Sequence, residues 1–135
     1  MENTFRISLR LTSDLYDFDT LISELTDYKI SYNKKDNSVL SSNINSSFKA
    51  KSNVLLVKDL YVNNNITDED NDVIIDKLMP LINFFSLIKN NDVKHEVYIS
   101  SRIENQQFGF QFNHNLLSLL SEYNYKISFS GISYV

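Results

Sequence analysis

The chain has 135 residues, enough for one domain spanning 1–135, and its 42% hydrophobic and 13% aromatic content is ample for a buried core. It has no cysteine, which excludes disulfides, thiolate nucleophiles and cysteine metal sites. A formal charge of −4 argues against phosphate-backbone binding and suits a basic partner.

The opening MENTFRISLR alternates apolar and polar residues, without the continuous apolar run of a signal peptide. No later segment approaches a membrane span, so the expectation is a cytoplasmic protein without membrane contact. Phe5, Ile7, Leu9 and Leu11 alternate with Arg6, Ser8 and Arg10, the period of a half-buried strand. Phe18, Leu21, Ile22, Leu25 and Tyr28 form one helical stripe, with Asp17 as the expected N-cap. Ile30 and Tyr32 begin a second strand. Residues 33–53 are rich in Asn, Ser and Lys and read mostly as loop, with a short strand around Val39 to Ile44. VLLVKDLYV (Val54 to Val62) reads as a central strand, because it begins with apolar residues on both faces.

Thr67 to Asp70 resembles a capping box ahead of a long helix marked by Ile74, Leu78, Leu81, Phe85 and Ile88. Pro80 lies inside that helix and should kink or split it. Val93, His95, Val97, Ile99 and Ile103 share one face of the next strand. QFGFQF (Gln107 to Phe112) puts three phenylalanines on one face and reads as its hairpin partner, with the turn at Glu104 to Gln106. Asn113 can cap a helix carrying Leu116, Leu117, Leu120 and Tyr123. Ile127 and Phe129 open a last strand, whose phase shifts to Ile132 and Tyr134, so Gly131 is a candidate bulge.

One sentence is written twice: LISELTDYKISY (Leu21 to Tyr32) and LLSLLSEYNYKISF (Leu116 to Phe129). Each is a helix end followed by a strand. The expected architecture is therefore α+β. It has a single, mostly antiparallel sheet of about six strands with three helices on one face. Its two strand–helix–strand units stand in a pseudo-twofold, ferredoxin-like arrangement.

Several features together resemble the bacterial domain-of-unknown-function family numbered 4279. They are D-x-D (Asp17, Asp19) before a helix, LMPL (Leu78 to Leu81) in a long helix, GF (Gly109, Phe110) in a strand pair, a leucine-rich helix, and a final strand ending in an aromatic. That family commonly has glycine and proline after the first helix and a tryptophan opening the third strand. Here DYKISY replaces the former, and the chain has no tryptophan. The family has no established activity. Some members look like immunity proteins of polymorphic bacterial toxins, so the resemblance implies a module that binds and blocks a cognate protein toxin.

Chemistry is sparse. Asp68, Asp70 and Asp72 have calcium-loop spacing, but Val73 and Met79 stand where the loop needs glycine and glutamate, so no metal or cofactor is expected. His95 and His114 are isolated, and no nucleophile elbow exists, so no catalytic residue is assigned and an enzyme is the least favoured class. Two surfaces remain. Asp68, Glu69, Asp70 and Asp72 form the densest charge cluster and are the expected partner site. Arg6, Arg10 and Arg102, with Tyr98, fall on the polar phase of strands and are the alternative, a face for an anion, a small molecule or an acidic partner. The bland alternative for those arginines is cross-strand pairing with Glu96 and Glu104. The expected protein is a monomer or dimer that does not bind nucleic acid.

Overall fold

A computed structural model describes residues 2–36, 38–41, 46–49, 51–105 and 107–133. The fold is α+β. Five strands form the main sheet: β1 (Thr4–Ser13), β2 (Lys29–Asn33), β5 (Asn53–Asn63), β6 (Lys94–Ile103) and β7 (Lys126–Ser133). A separate two-stranded ladder pairs β3 (Ser38–Ser41) with β4 (Ser46–Lys49), where the sequence suggested mostly loop. Tyr134 and Ile44 lie outside the described residues.

The strand order is β2-β5-β1-β6-β7. The β2–β5, β5–β1 and β1–β6 pairs are antiparallel, and β6–β7 is parallel. β5 is thus an interior strand, as its apolar opening suggested. Five strands, rather than about six, make the sheet, because Gln107–Phe112 does not join it. That segment makes one isolated parallel bridge, Phe110 to Ile66.

Phe5, Ile7, Leu9 and Leu11 of β1 enter the core, and Arg6 and Arg10 stand on the opposite face. The three helices, α1 (Asp19–Ile22), α2 (Asp68–Phe85) and α3 (His114–Glu122), all contribute to the same cluster. α2 is one 18-residue helix that continues through Pro80 rather than splitting there. The stripe Ile74, Leu78, Leu81 and Phe85 is buried, as its spacing requires. α1 is only four residues long. Beyond Ile22 the chain proceeds by i→i−3 turns, Glu24 to Leu21 and Leu25 to Ile22. Phe18, not Asp17, holds the N-cap position, although Asp17 Oδ1 accepts from the Asp19 N–H at 2.9 Å.

The irregularity expected at Gly131 is elsewhere. β7 keeps unbroken register with β6 through Gly131. A Cβ there would collide with Ser101 Oγ, so close approach is what fits glycine to the position. The bulge lies in β5, where the register shifts between Ile7 and Leu9 of β1. Asp59 adopts φ 53°, and its N–H is taken by Ser8 Oγ at 3.1 Å. The two copies of the repeated text place β2 and β7 in one sheet, at opposite edges. The expected second unit, Gln107–Phe112 with α3 and β7, is not formed as such, because Gln107–Phe112 stays outside the sheet that holds β1, β2 and β7.

Candidate functional site

Asparagine amides hold residues 104–113, the segment that the sequence suggested as half a hairpin. Asn3, buried, accepts from the Glu104 and Asn105 N–H groups at 2.8 and 2.9 Å and donates to the Asn105 and Gln107 carbonyls at 3.3 Å. Asn65 Oδ1 accepts from Gly109 N–H at 2.9 Å. Asn71, fully buried, donates to the Thr67 and Gln111 carbonyls at 2.7 and 2.8 Å and accepts from Asn113 N–H at 2.9 Å. With these side chains, and with Ile66 donating to the Gly109 carbonyl at 2.9 Å and accepting from Gln111 N–H at 2.8 Å, the segment is held without joining the sheet and becomes a strap across the start of α2. An alternation rule cannot detect this, because the partners are side chains remote in sequence.

The strap sets an aromatic cluster at the β7 edge. Phe110 packs on Phe5 at 5.3 Å between ring centroids, on Phe112 at 5.1 Å and edge-on against Phe129 at 5.5 Å. The core expected from Phe108, Phe110, Phe112, Leu120, Phe129, Phe5, Leu9 and Leu25 is only partly formed. Phe5, Leu9, Leu25 and Leu120 are buried, and Phe110 and Phe112 are half-buried. Phe108 and Phe129 remain 47% and 54% exposed, and Ile127 is 44% exposed. β7 ends the sheet, so no helix or strand of the described residues pairs with its outer side. Sequence phase assigned Ile127 and Phe129 to the helix-side face correctly. It could not show that, among the described residues, they stay about half exposed, with Phe110 packed edge-on against Phe129.

This apolar edge is continuous with the acidic start of α2. Phe110 bridges Ile66, and Asn113 Nδ2 donates to Asp68 Oδ1 at 2.9 Å. The four acids there divide into two kinds. Asp70 Oδ2 accepts from the Thr67 N–H at 2.7 Å and hydroxyl at 2.8 Å; its Oδ1 accepts from Tyr61 Oη and from Asn63 at 3.2 Å. Burial pushes the Asp70 carboxyl up, but the Tyr61, Thr67 and Asn63 bonds outweigh it and hold the group below the ordinary carboxylate range. Asp68 and Asp70 are therefore committed to fixing the helix start, and Asp68 also ties α2 to α3. Glu69 and Asp72 are exposed and point their charge to solvent.

The open sheet face carries the arginines. Arg10 of β1 pairs with Glu96 of β6, the cross-strand pairing the bland alternative supposed, whereas Arg102 pairs with Glu104 at 3.1 Å two residues along its own chain and not across strands. Arg6 instead pairs with Asp59 at 3.2 Å, presented by the β5 bulge. The Arg10 guanidinium lies 4.4 Å above the Tyr98 ring. Glu96 also accepts from Ser128, so one carboxylate links β1, β6 and β7. Burial pushes the Glu96 carboxyl up, and Arg10 and Ser128 more than offset it, leaving the group below its ordinary value. On this face each arginine meets a carboxylate, which reduces its pull on an external anion.

Among the described residues no helix is long and apolar enough to cross a membrane. No family model matches the chain, and no curated protein is similar to it.

Proposed function

We propose that the chain is a cytoplasmic protein-binding module, an immunity or inhibitor protein that docks on a bacterial protein toxin and blocks it, acting by contact and not by turnover. The observation that carries this reading is the exposed apolar group on the edge strand β7, Phe129 and Ile127, with Phe108 exposed on the strap beside it; the strap is tied through the Phe110–Ile66 bridge and the Asn113–Asp68 bond to the start of α2, where Glu69 and Asp72 are exposed. A large exposed apolar group beside an unpaired strand edge is a liability unless something covers it. An apolar centre with a charged rim is also the common composition of a docking surface. The acidic rim suits a basic partner, whose association it would steer. The resemblance to the domain-of-unknown-function family numbered 4279 supports the same class. We also read the kernel β2-β5-β1-β6 as ferredoxin-like. In it β1–α1–β2 interleaves with β5–α2–β6 about a pseudo-twofold axis, and α3 and β7 are added at one edge.

The test is a binding titration against the product of an adjacent toxin gene, together with rescue of cells from that toxin. Glu69→Gln with Asp72→Asn should slow association about tenfold at low salt and converge on the unmodified protein at high salt. Arg6→Ala with Arg102→Ala should leave the affinity within about threefold. A large loss from the arginine pair with none from the acidic pair moves the site to the open face. No binding to that toxin ends the immunity reading.

A further inference from the structure

A cavity lies at the start of β7, beside Tyr125 and Lys126. It has a volume of about 540 Å³, within the range of small-molecule sites. The end of α2, the start of β6 and the turn from α3 into β7 enclose it, and its apolar wall includes Phe85, Ile88 and Val93. Two of its lining residues carry a buried polar atom without a partner. These are Tyr125, 8% exposed, through its hydroxyl, and His95 through Nδ1. Their rings pack at 5.2 Å between centroids, tilted by 54°, so both rings belong to the same wall. Burial alone pushes His95 below its ordinary value and the Tyr125 hydroxyl well above its own, so both are neutral at pH 7.

Buried polar groups in folded proteins are nearly always paired, and two bare ones in one cavity need an occupant. Three lysines, Lys89, Lys94 and Lys126, also line the cavity and are exposed to solvent, against a single carboxylate, Glu122. We propose that this cavity binds a small aromatic carboxylate bearing a second oxygen, with its charged end at the lysine rim and its far oxygen at Tyr125 and His95. The apolar wall accepts the ring, the neutral imidazole and phenol exchange hydrogen bonds with the inner oxygen, and the lysines select for charge.

Three probes separate these parts on the full chain: 4-hydroxybenzoate, benzoate and 4-hydroxybenzamide, each titrated while the His95 and Tyr125 ring resonances are followed by NMR. The expected result is a saturable shift of both rings with 4-hydroxybenzoate. Binding should be roughly tenfold weaker for the uncharged amide. It should be about three- to tenfold weaker for benzoate, which lacks the inner oxygen. Tyr125→Phe should remove most of the preference for the hydroxyl. Lys89→Gln, Lys94→Gln and Lys126→Gln combined should remove the preference for the acid, and these surface changes leave the core intact if Tyr125→Phe does not fold. No saturable shift with any probe at millimolar concentration, which leaves the cavity to water, overturns the proposal. So does equal affinity for the acid and the amide.

Discussion

The two copies of the repeated sentence have nearly the same letters and different fates. LISELTDY contains the last two of the four residues of α1 and then i→i−3 turns, whereas LLSLLSEY contains seven of the nine residues of α3. The difference lies at the ends. α3 starts with Asn113, whose side chain accepts from Leu116 N–H at 3.1 Å, and it stops at Asn124 with φ 59° and a Tyr125 N–H to Leu120 carbonyl bond of 2.8 Å. α1 has neither device, because Asp17 spends its carboxylate on Asp19 N–H, Tyr32 Oη and Lys34, and the dipeptide Asn124-Tyr125 has no counterpart between Tyr28 and Lys29. Short helices depend on such terminal bonds, since few internal ones are available. The strands differ in the same sense. β2 is covered, with Tyr32 edge-on to Phe18 at 6.0 Å, while β7 leaves Ile127 and Phe129 open. The extra tyrosine of the second copy, Tyr125, also supplies the cavity with its buried hydroxyl.

The contrast can be broken most strongly at the aromatics. Phe18→Ala, which removes the ring packed against Tyr32 of the first copy, should cost about 3–5 kcal/mol through lost transfer energy and a residual cavity. Phe129→Ala, on the open strand β7, should cost less than about 1 kcal/mol. Denaturant midpoints measure both, and equal costs would mean that the β7 edge is covered after all. The strap gives the next largest effect. Asn71→Ala strips the Thr67 and Gln111 carbonyls and the Asn113 N–H of a partner and should destabilise by on the order of 2 kcal/mol, with early hydrogen exchange at Asn113.

Smaller effects sharpen the helix comparison. Asn113→Ala should cost about 1 kcal/mol. Asn124→Ala should cost a similar amount, because it puts a Cβ without a side-chain amide into the left-handed region, whereas Asn124→Gly should stay within about 0.5 kcal/mol. A pH scan isolates the second copy's cavity. Burial lowers the folded-state pKa of His95, so as pH falls below the ordinary 6.5 the unfolded chain takes up a proton before the folded one does. Stability is therefore full above that value and declines on the acid side. His95→Gln should flatten this limb between neutrality and the onset of carboxylate titration.

Alternation and helical stripes in the sequence located β1, β2, β5, β6, β7, α2 and α3, because burial on one face leaves a periodic trace. Two kinds of information left none. One is asparagine in place of ladder partners. Phe108, Phe110 and Phe112 alternate like a strand, yet Asn3, Asn65 and Asn71 hold that backbone from up to about a hundred positions away. The other is competition for a carboxylate. The run Asp68, Glu69, Asp70 and Asp72 reads as one charge cluster, and only the fold shows two of its members engaged and two free. The arginines were legible as a face but not in their partners, since Asp59 reaches Arg6 only through the β5 bulge.

The central claim is that the second copy's uncovered edge is the docking surface and the first copy's covered edge is not. The direct measurement is the affinity of paired edge variants, Phe129→Glu on β7 and Lys29→Glu on β2, for the adjacent toxin. Phe129→Glu should weaken binding by about a hundredfold or more, as for a central apolar anchor, with the melting temperature nearly unchanged. Lys29→Glu should stay within about threefold. Equal effects at the two edges, or full affinity with glutamate at 129, would contradict the account.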